Sequence, residues 1–163
     1  MNRRPARPGW VPVAFAALAA ILVAVLGFLA TDLSGWYQTL VTPSWQPPGW
    51  LFGPAWTLIY AFAALAGVLA WHSARDANSR SWILALFAVN GFLNVLWSLL
   101  FFRLQRPDWA LAEIFLLWLS IIALIVGLRS FSKTTMWLLL PYLAWVTFAA
   151  ALNAAVVRLN PAF

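Results

Sequence analysis

Long apolar stretches, rather than alternating positions, dominate this chain. Five runs of about 20 residues are separated by less apolar links. They are Trp10 to Ala30, Leu51 to Trp71, Trp82 to Phe102, Trp109 to Leu128 and Thr135 to Val157. Each is long enough to cross a hydrocarbon core as a helix. They are apolar all round, which excludes half-buried strands and the dyad repeat of a membrane barrel. The pattern therefore predicts an all-α membrane protein, a single domain over residues 1–163 built as a five-transmembrane-helix bundle. Tryptophans 10, 50, 71, 82, 109 and 137 stand at the ends of the runs, as an interfacial aromatic belt requires. Asp108, just before the fourth run, reads as its N-cap.

The links differ in length. Those after the second, third and fourth runs are short, so consecutive helices pack antiparallel. The first, residues 31–50, is long for a structureless connection, and loops of that kind are often functional. Ser34 is placed to cap a short helix ending near Leu40. Prolines 43, 47, 48 and 54 then force and stiffen an extended path, since each fixes φ near −65°. Such a cover loses less entropy when it closes over a ligand.

Composition supports a bilayer setting: 64% of residues are hydrophobic and 9% are charged. The net charge of +6 does not indicate nucleic-acid binding, because the cations flank apolar runs rather than forming a patch among exposed aromatics. With the N-terminus inside, Arg3, Arg4, Arg7, Arg75, Arg80, Arg129 and Lys133 share the inner side. Arg103, Arg106 and Arg158 lie outside, so the bias predicts a cytoplasmic N-terminus. The first run exceeds the usual signal-peptide core of about 7–15 residues and is read as retained. Cysteine is absent, which removes disulfides and thiolate chemistry.

Candidate chemistry lies on helix faces. Asn90, Asn94 and Trp97 share one face of the third run, and Tyr142, Trp145, Ala149 and Asn153 share one face of the fifth. Trp56 and Tyr60 stand one turn apart in the second run, just after Pro54. Buried amides have to point into the bundle, either as glue between helices or as the lining of a pocket. Three converging stripes below a Pro/Trp-rich cover suit a pocket for a flat apolar ligand. Pro141, near the predicted start of the fifth helix, frees a carbonyl. Glu113 is the one carboxylate within a run. It is tolerated near a helix N-terminus, or it serves as a proton relay or ligand group. His72, the single histidine, reads as interfacial. With no partner for either, neither a metal site nor an acid–base enzyme is expected. Small residues at helical spacing (Ala16, Ala20 and Ala24; Ala63 and Gly67; Ala85, Ala88 and Gly91) allow close helix approach or a dimer face.

The stretch "WYQTLVTPSWQPPGWLFGPAWTLIY" resembles the signature of the TspO/translocator protein family, the tryptophan-rich sensory proteins or peripheral benzodiazepine receptors. The likeness continues through "NGFLNVLWSLLFF", "DWALAE" and "PYLAWVTFAAALNAAVVRLN". The resemblance implies a homodimeric five-helix bundle whose cavity is roofed by the first loop. It also implies binding of porphyrins such as protoporphyrin IX and haem, and of isoquinoline or benzodiazepine-type ligands, with no cofactor required. By motif position, Trp56 and Trp145 match the pocket tryptophans and Asn94 and Ala149 match cavity-lining positions. Tyr37, Pro47 and Pro48 match the cover. Sterol binding is disfavoured, because Ala154 and Ala155 stand where animal members carry a tyrosine, although Arg158 remains. Small size implies a bacterial member. The functions implied are tetrapyrrole sensor, carrier or regulator. Alternatives are light-dependent porphyrin degradation involving Trp56 and Trp145, a proton-coupled exporter using Glu113, and a scaffold that binds no ligand.

Overall fold

A backbone in hydrocarbon has to satisfy its own N–H and C=O groups, and each apolar run does so as a helix. The computed structural model describes residues 10–161, so Arg3, Arg4 and Arg7 lie outside the described residues. The helices are α1 (Trp10–Ala30), α2 (Trp36–Thr39), α3 (Phe52–Ser73), α4 (Ala77–Ser98), α5 (Pro107–Leu128) and α6 (Lys133–Leu159). Five are long and apolar enough to cross a membrane, and there is no strand among the described residues. The protein is an integral, multi-pass membrane protein.

The five long helices close into a ring in the order α1, α3, α6, α5, α4 and back to α1. Helix α5 supplies the largest share of the core: Ile114, Leu117, Ile121, Leu124 and Leu128 pack with Leu139 and Val146 of α6 and Ala66 and Ala70 of α3. Helix α1 is the least enclosed, burying only Gly27 and Ala30 near its C-terminal end. Tryptophans 10, 50, 82, 109 and 137 are exposed at the helix ends, as a belt requires.

Several local expectations are corrected. Asp108 is not the N-cap of α5. Arg106 holds that position and Pro107 is the first helical residue, where its missing N–H costs nothing. Asp108 instead lies in the first turn and pairs with the Arg106 guanidinium. Ser34 does not cap α2 with its side chain. Its hydroxyl donates to Asp32 (2.6 Å), and the cap position is Gly35, whose φ of +50° suits glycine. Helix α4 starts five residues before Trp82, because Asp76 caps it by accepting from the Ser79 N–H (2.8 Å). Helix α6 starts at Lys133, so Pro141 lies about two turns inside it rather than near its start, on an exposed face. Past Ser98, α4 widens into a π-helical turn over Leu99–Arg103. Its end turns sharply at Gln105, with φ of +52°, to enter α5.

Candidate functional site

The cover loop and four helices meet at one end of the bundle, and aromatic rings gather there. Trp56 of α3 stacks on Tyr60, with centroids 5.3 Å apart, one turn along the same helix. Its edge contacts Tyr142 at 6.1 Å and Trp145 at 6.4 Å, both on α6. Trp145 in turn meets Phe52 and Phe148, each at 5.7 Å. Trp45 descends from the cover onto Phe148 at 5.8 Å. A continuous series of rings thus runs from the cover into the bundle. These edge-to-face and offset geometries suit the ring quadrupoles and are worth about 0.5–1.5 kcal/mol per pair. Trp56 and Trp145 touch as they stand, so a macrocycle comes between them only by parting them.

Directly beneath lies a ladder of polar groups at mid-depth. The Tyr60 hydroxyl donates to Asn94 Oδ1 (2.7 Å), and Asn94 Nδ2 donates to the Tyr142 hydroxyl (3.1 Å). Tyr142 donates to Asn90 Oδ1 (3.2 Å), Asn90 Nδ2 donates to Ser120 Oγ (2.8 Å), and Ser120 donates to the Leu117 carbonyl (2.7 Å). Four helices are joined. Each of these donors has an acceptor because the Tyr142 and Ser120 hydroxyls both accept and donate, and a satisfied network is what an apolar interior demands. The two asparagines thus act as glue, and Asn90 also reaches a cavity wall.

The cover is fastened at two corners. Asn160, just past α6, accepts from the Val41 N–H (3.0 Å) and donates to the Val41 carbonyl (2.9 Å), imitating a strand neighbour. At the other corner the π-turn brings successive rings to α2: Phe101 contacts Trp36 at 6.1 Å and Phe102 contacts Tyr37 at 5.6 Å. Tyr37 also accepts from Gln46 across the loop (3.2 Å). At the start of the cover, the hydroxyl and amide of Ser34 hold the Asp32 carboxyl below its usual range, and Arg103 lies 4.0 Å away. Arg103 additionally donates to the Leu29 carbonyl, tying the end of α4 to that of α1.

A cleft of about 350 Å³ lies on the other side of the ladder, between α1, α3 and α4. Small residues such as Ala16, Ala20, Ala63, Ala64 and Gly67 line it, and Tyr60, Asn90 and Tyr142 close its inner end. Glu113 of α5 is 5% exposed, and neither carboxylate oxygen has a hydrogen-bond partner.

The residues predicted for the site divide into groups. Trp56, Tyr60, Asn90, Asn94, Tyr142 and Trp145 come together. Trp97 stands apart from the two tryptophans, stacked on Phe101 at 5.2 Å in the corner under α2. Ala149 is half-buried one turn beyond Trp145. Asn153 is engaged elsewhere: oriented to suit its neighbours, its amide donates to the Pro107 carbonyl and accepts from the Leu111 N–H, both at 3.0 Å. It fastens α6 to the first turn of α5. Pro47 is half-buried in the extended run and Pro48 introduces a short 3₁₀ turn, Gly49–Leu51. Sequence reasoning missed Ser120, Phe148 and Asn160. A polar residue just after a long apolar run was the one available hint for Asn160.

Comparison with known proteins places the sequence among relatives over most of its length. Residues 13–159 match the TspO/MBR family. The chain is 41% identical over 145 residues to the tryptophan-rich protein TspO of Archaeoglobus fulgidus, covering 88% of this chain and 93% of that one. It is 33% identical over 156 residues to the human translocator protein, covering 94% and 92%. It is 34% identical over 128 residues to the tryptophan-rich sensory protein of Cereibacter sphaeroides, covering 77% of each.

Proposed function

The chain belongs to the TspO/MBR family, and on that premise we infer that it binds porphyrins, protoporphyrin IX or haem, beneath its cover loop. It then acts as a tetrapyrrole sensor, carrier or regulator, and isoquinoline or benzodiazepine-type molecules share the site. One observation carries this reading: indoles from two helices, Trp56 and Trp145, meet under a loop whose own Trp45 joins the same series of rings. Indole faces suit a flat macrocycle. The clasp at Val41 and Asn160 is the point at which the cover opens, and the rings part as the ligand enters. Tyr37, Pro47 and Pro48 shape the roof, and Asn94 and Ala149 contribute to the wall. The same reading makes the protein a homodimer in a bacterial membrane with a cytoplasmic N-terminus. The outward-facing Ala85 and Ala88 suit a face between copies.

The test is titration of the purified protein with protoporphyrin IX, followed by tryptophan fluorescence. Trp56→Ala and Trp145→Ala each weaken binding about tenfold, the loss of one well-placed ring. Unchanged affinity in both variants refutes the site. Light-driven oxidation of the bound porphyrin, with dioxygen as oxidant, is a separate claim. Equal bleaching of free and bound porphyrin removes it, and mass spectrometry shows whether the ligand is returned intact.

A second reading, proton-coupled export, is favoured by the buried, unpartnered carboxylate of Glu113. Loss of pH-driven transport in vesicles carrying Glu113→Gln supports it. Undiminished transport excludes it.

A further inference from the structure

The cleft between α1, α3 and α4 shares Tyr60 and Tyr142 with the aromatic cluster but opens on the far side of the polar ladder, and neither Trp56, Trp145 nor the cover lines it. We propose that it is a second binding site, taking one acyl chain of an anionic membrane lipid whose head is held by Arg80.

The shape comes from missing side-chain volume. Ala16 and Ala20 of α1 face Ala63 and Ala64 of α3 across the gap. The hollow follows α1 from Val11 to Val23, a rise of about 18 Å. A volume of about 350 Å³ spread over that length makes a narrow slot. It suits an extended hydrocarbon chain better than a broad ring system. Access is sideways, because α1 leaves most of its surface to the surrounding lipid. The hydroxyls and amides at the inner end are spent on one another, so the slot requires no polar group of a tail.

The other end supplies the charge. Trp71 lines the cleft there, and the Arg80 guanidinium lies 5.2 Å from the centre of its ring. An arginine stacked on a ring keeps its N–H edge for an anion. Asp76 caps α4 through Ser79 and acts on Arg80 only weakly and at longer range, and among the described residues no carboxylate lies within 4.0 Å of the Arg80 guanidinium. An acidic lipid head at the bilayer surface meets this cation while its tail enters the slot.

The experiment uses the full chain in phosphatidylcholine nanodiscs doped with phosphatidylglycerol carrying a mid-chain diazirine. After irradiation and digestion, cross-links concentrate on slot residues such as Ala16 and Ala64, in excess of the outward-facing Phe115 and Leu119. Ala64→Phe and, from the opposite wall, Ala20→Leu remove the slot cross-links and leave the outward ones. An unchanged melting temperature identifies which filling variant is folded, and full slot labelling in a folded one overturns the proposal. Arg80→Gln lowers phosphatidylglycerol labelling about fivefold, the worth of one interfacial cation. Equal labelling by diazirine phosphatidylcholine overturns the acidic-head assignment, as does a slot labelled by a diazirine fatty acid but not by the phospholipid. Labels spread evenly around the bundle overturn the site itself.

Discussion

The two ends of the bundle are built from the same helices and filled in opposite ways. Toward the cover, α3 carries Trp56 and Tyr60, α6 carries Trp145 and Phe148, and α4 ends in Phe101 and Phe102. Toward the far end, α3 carries Ala63, Ala64 and Gly67, facing alanines of α1, and a cleft remains. Bulk in one half gives rings that interlock. Its absence in the other gives a hollow that side chains do not fill. The polar ladder through Tyr60, Asn94, Tyr142 and Asn90 lies at the boundary. It makes the boundary rigid, since lipid offers these groups no alternative partner. A helix pair can therefore be tight at one end and open at the other without sliding.

Removing the boundary has the largest effect. Asn94→Ala deletes the acceptor for Tyr60 and a donor to Tyr142, leaving the Tyr60 phenol to find a new partner while Tyr142 keeps its bond to Asn90. The expected cost is about 2–3 kcal/mol, combining lost interhelical bonds with an unsatisfied group. Thermal unfolding in detergent measures it. Asn94→Asp does not rescue, because it cannot donate to Tyr142 when ionised. Stability equal to that of the parent chain would show that the two halves are not joined there.

Gly91→Ala acts on the far half alone. A Cβ at Gly91 falls 3.0 Å from Cγ2 of Val23 on α1, and a β-branched side chain has little freedom to move aside. Helix α1 is displaced from α4 and the cleft widens, at about 1 kcal/mol, the low end for overpacking because α1 is loosely held. Distance measurements between spin labels on α1 and α4 increase, while Trp45 fluorescence from the cover does not change.

These contrasts were legible in the sequence to different depths. The five helices follow from run length, because nothing else satisfies a backbone in hydrocarbon. The faces bearing Asn90, Asn94, Tyr142 and Trp145 follow from helical period, and the structure brings those residues together. Their partners do not follow: Ser120 lies on a helix without a polar stripe, and the pairing depends on how α4 and α5 cross. Asp108 and Ser34 were misread because cap preference competes with local pairing, to Arg106 in one case and Asp32 in the other. The cleft was written as small residues at helical spacing. Such spacing normally means close contact, and only the positions of α1 and α3 reveal that here it means room.

On the cover side, Asn160→Ala removes both bonds to Val41. They are solvent-accessible, so the loss is about 0.5–1 kcal/mol. Faster hydrogen exchange at Val41, with α3 and α6 unaffected, is the expected signature. The cleft and its lipid labelling are indifferent to this change.

The smallest effect concerns pH at the far end. The amide and hydroxyl of Ser79 hold the Asp76 carboxyl below its usual range. A carboxylate with a depressed value in the folded chain contributes stability that is complete above the ordinary aspartate value, near 4. That contribution is lost as pH falls through the lowered value, since the protonated acid accepts poorly from the Ser79 N–H. The first turn of α4 then frays, and Arg80, one turn along, loses its fixed position over Trp71. Hydrogen exchange at Ser79 accelerates in acid before any change appears at the aromatic cluster. Asp76→Asn keeps an accepting oxygen, flattens the pH dependence and leaves the helix start intact. If the parent chain and Asp76→Asn show the same acid response, the titrating group lies elsewhere and the far end does not answer to pH through this cap.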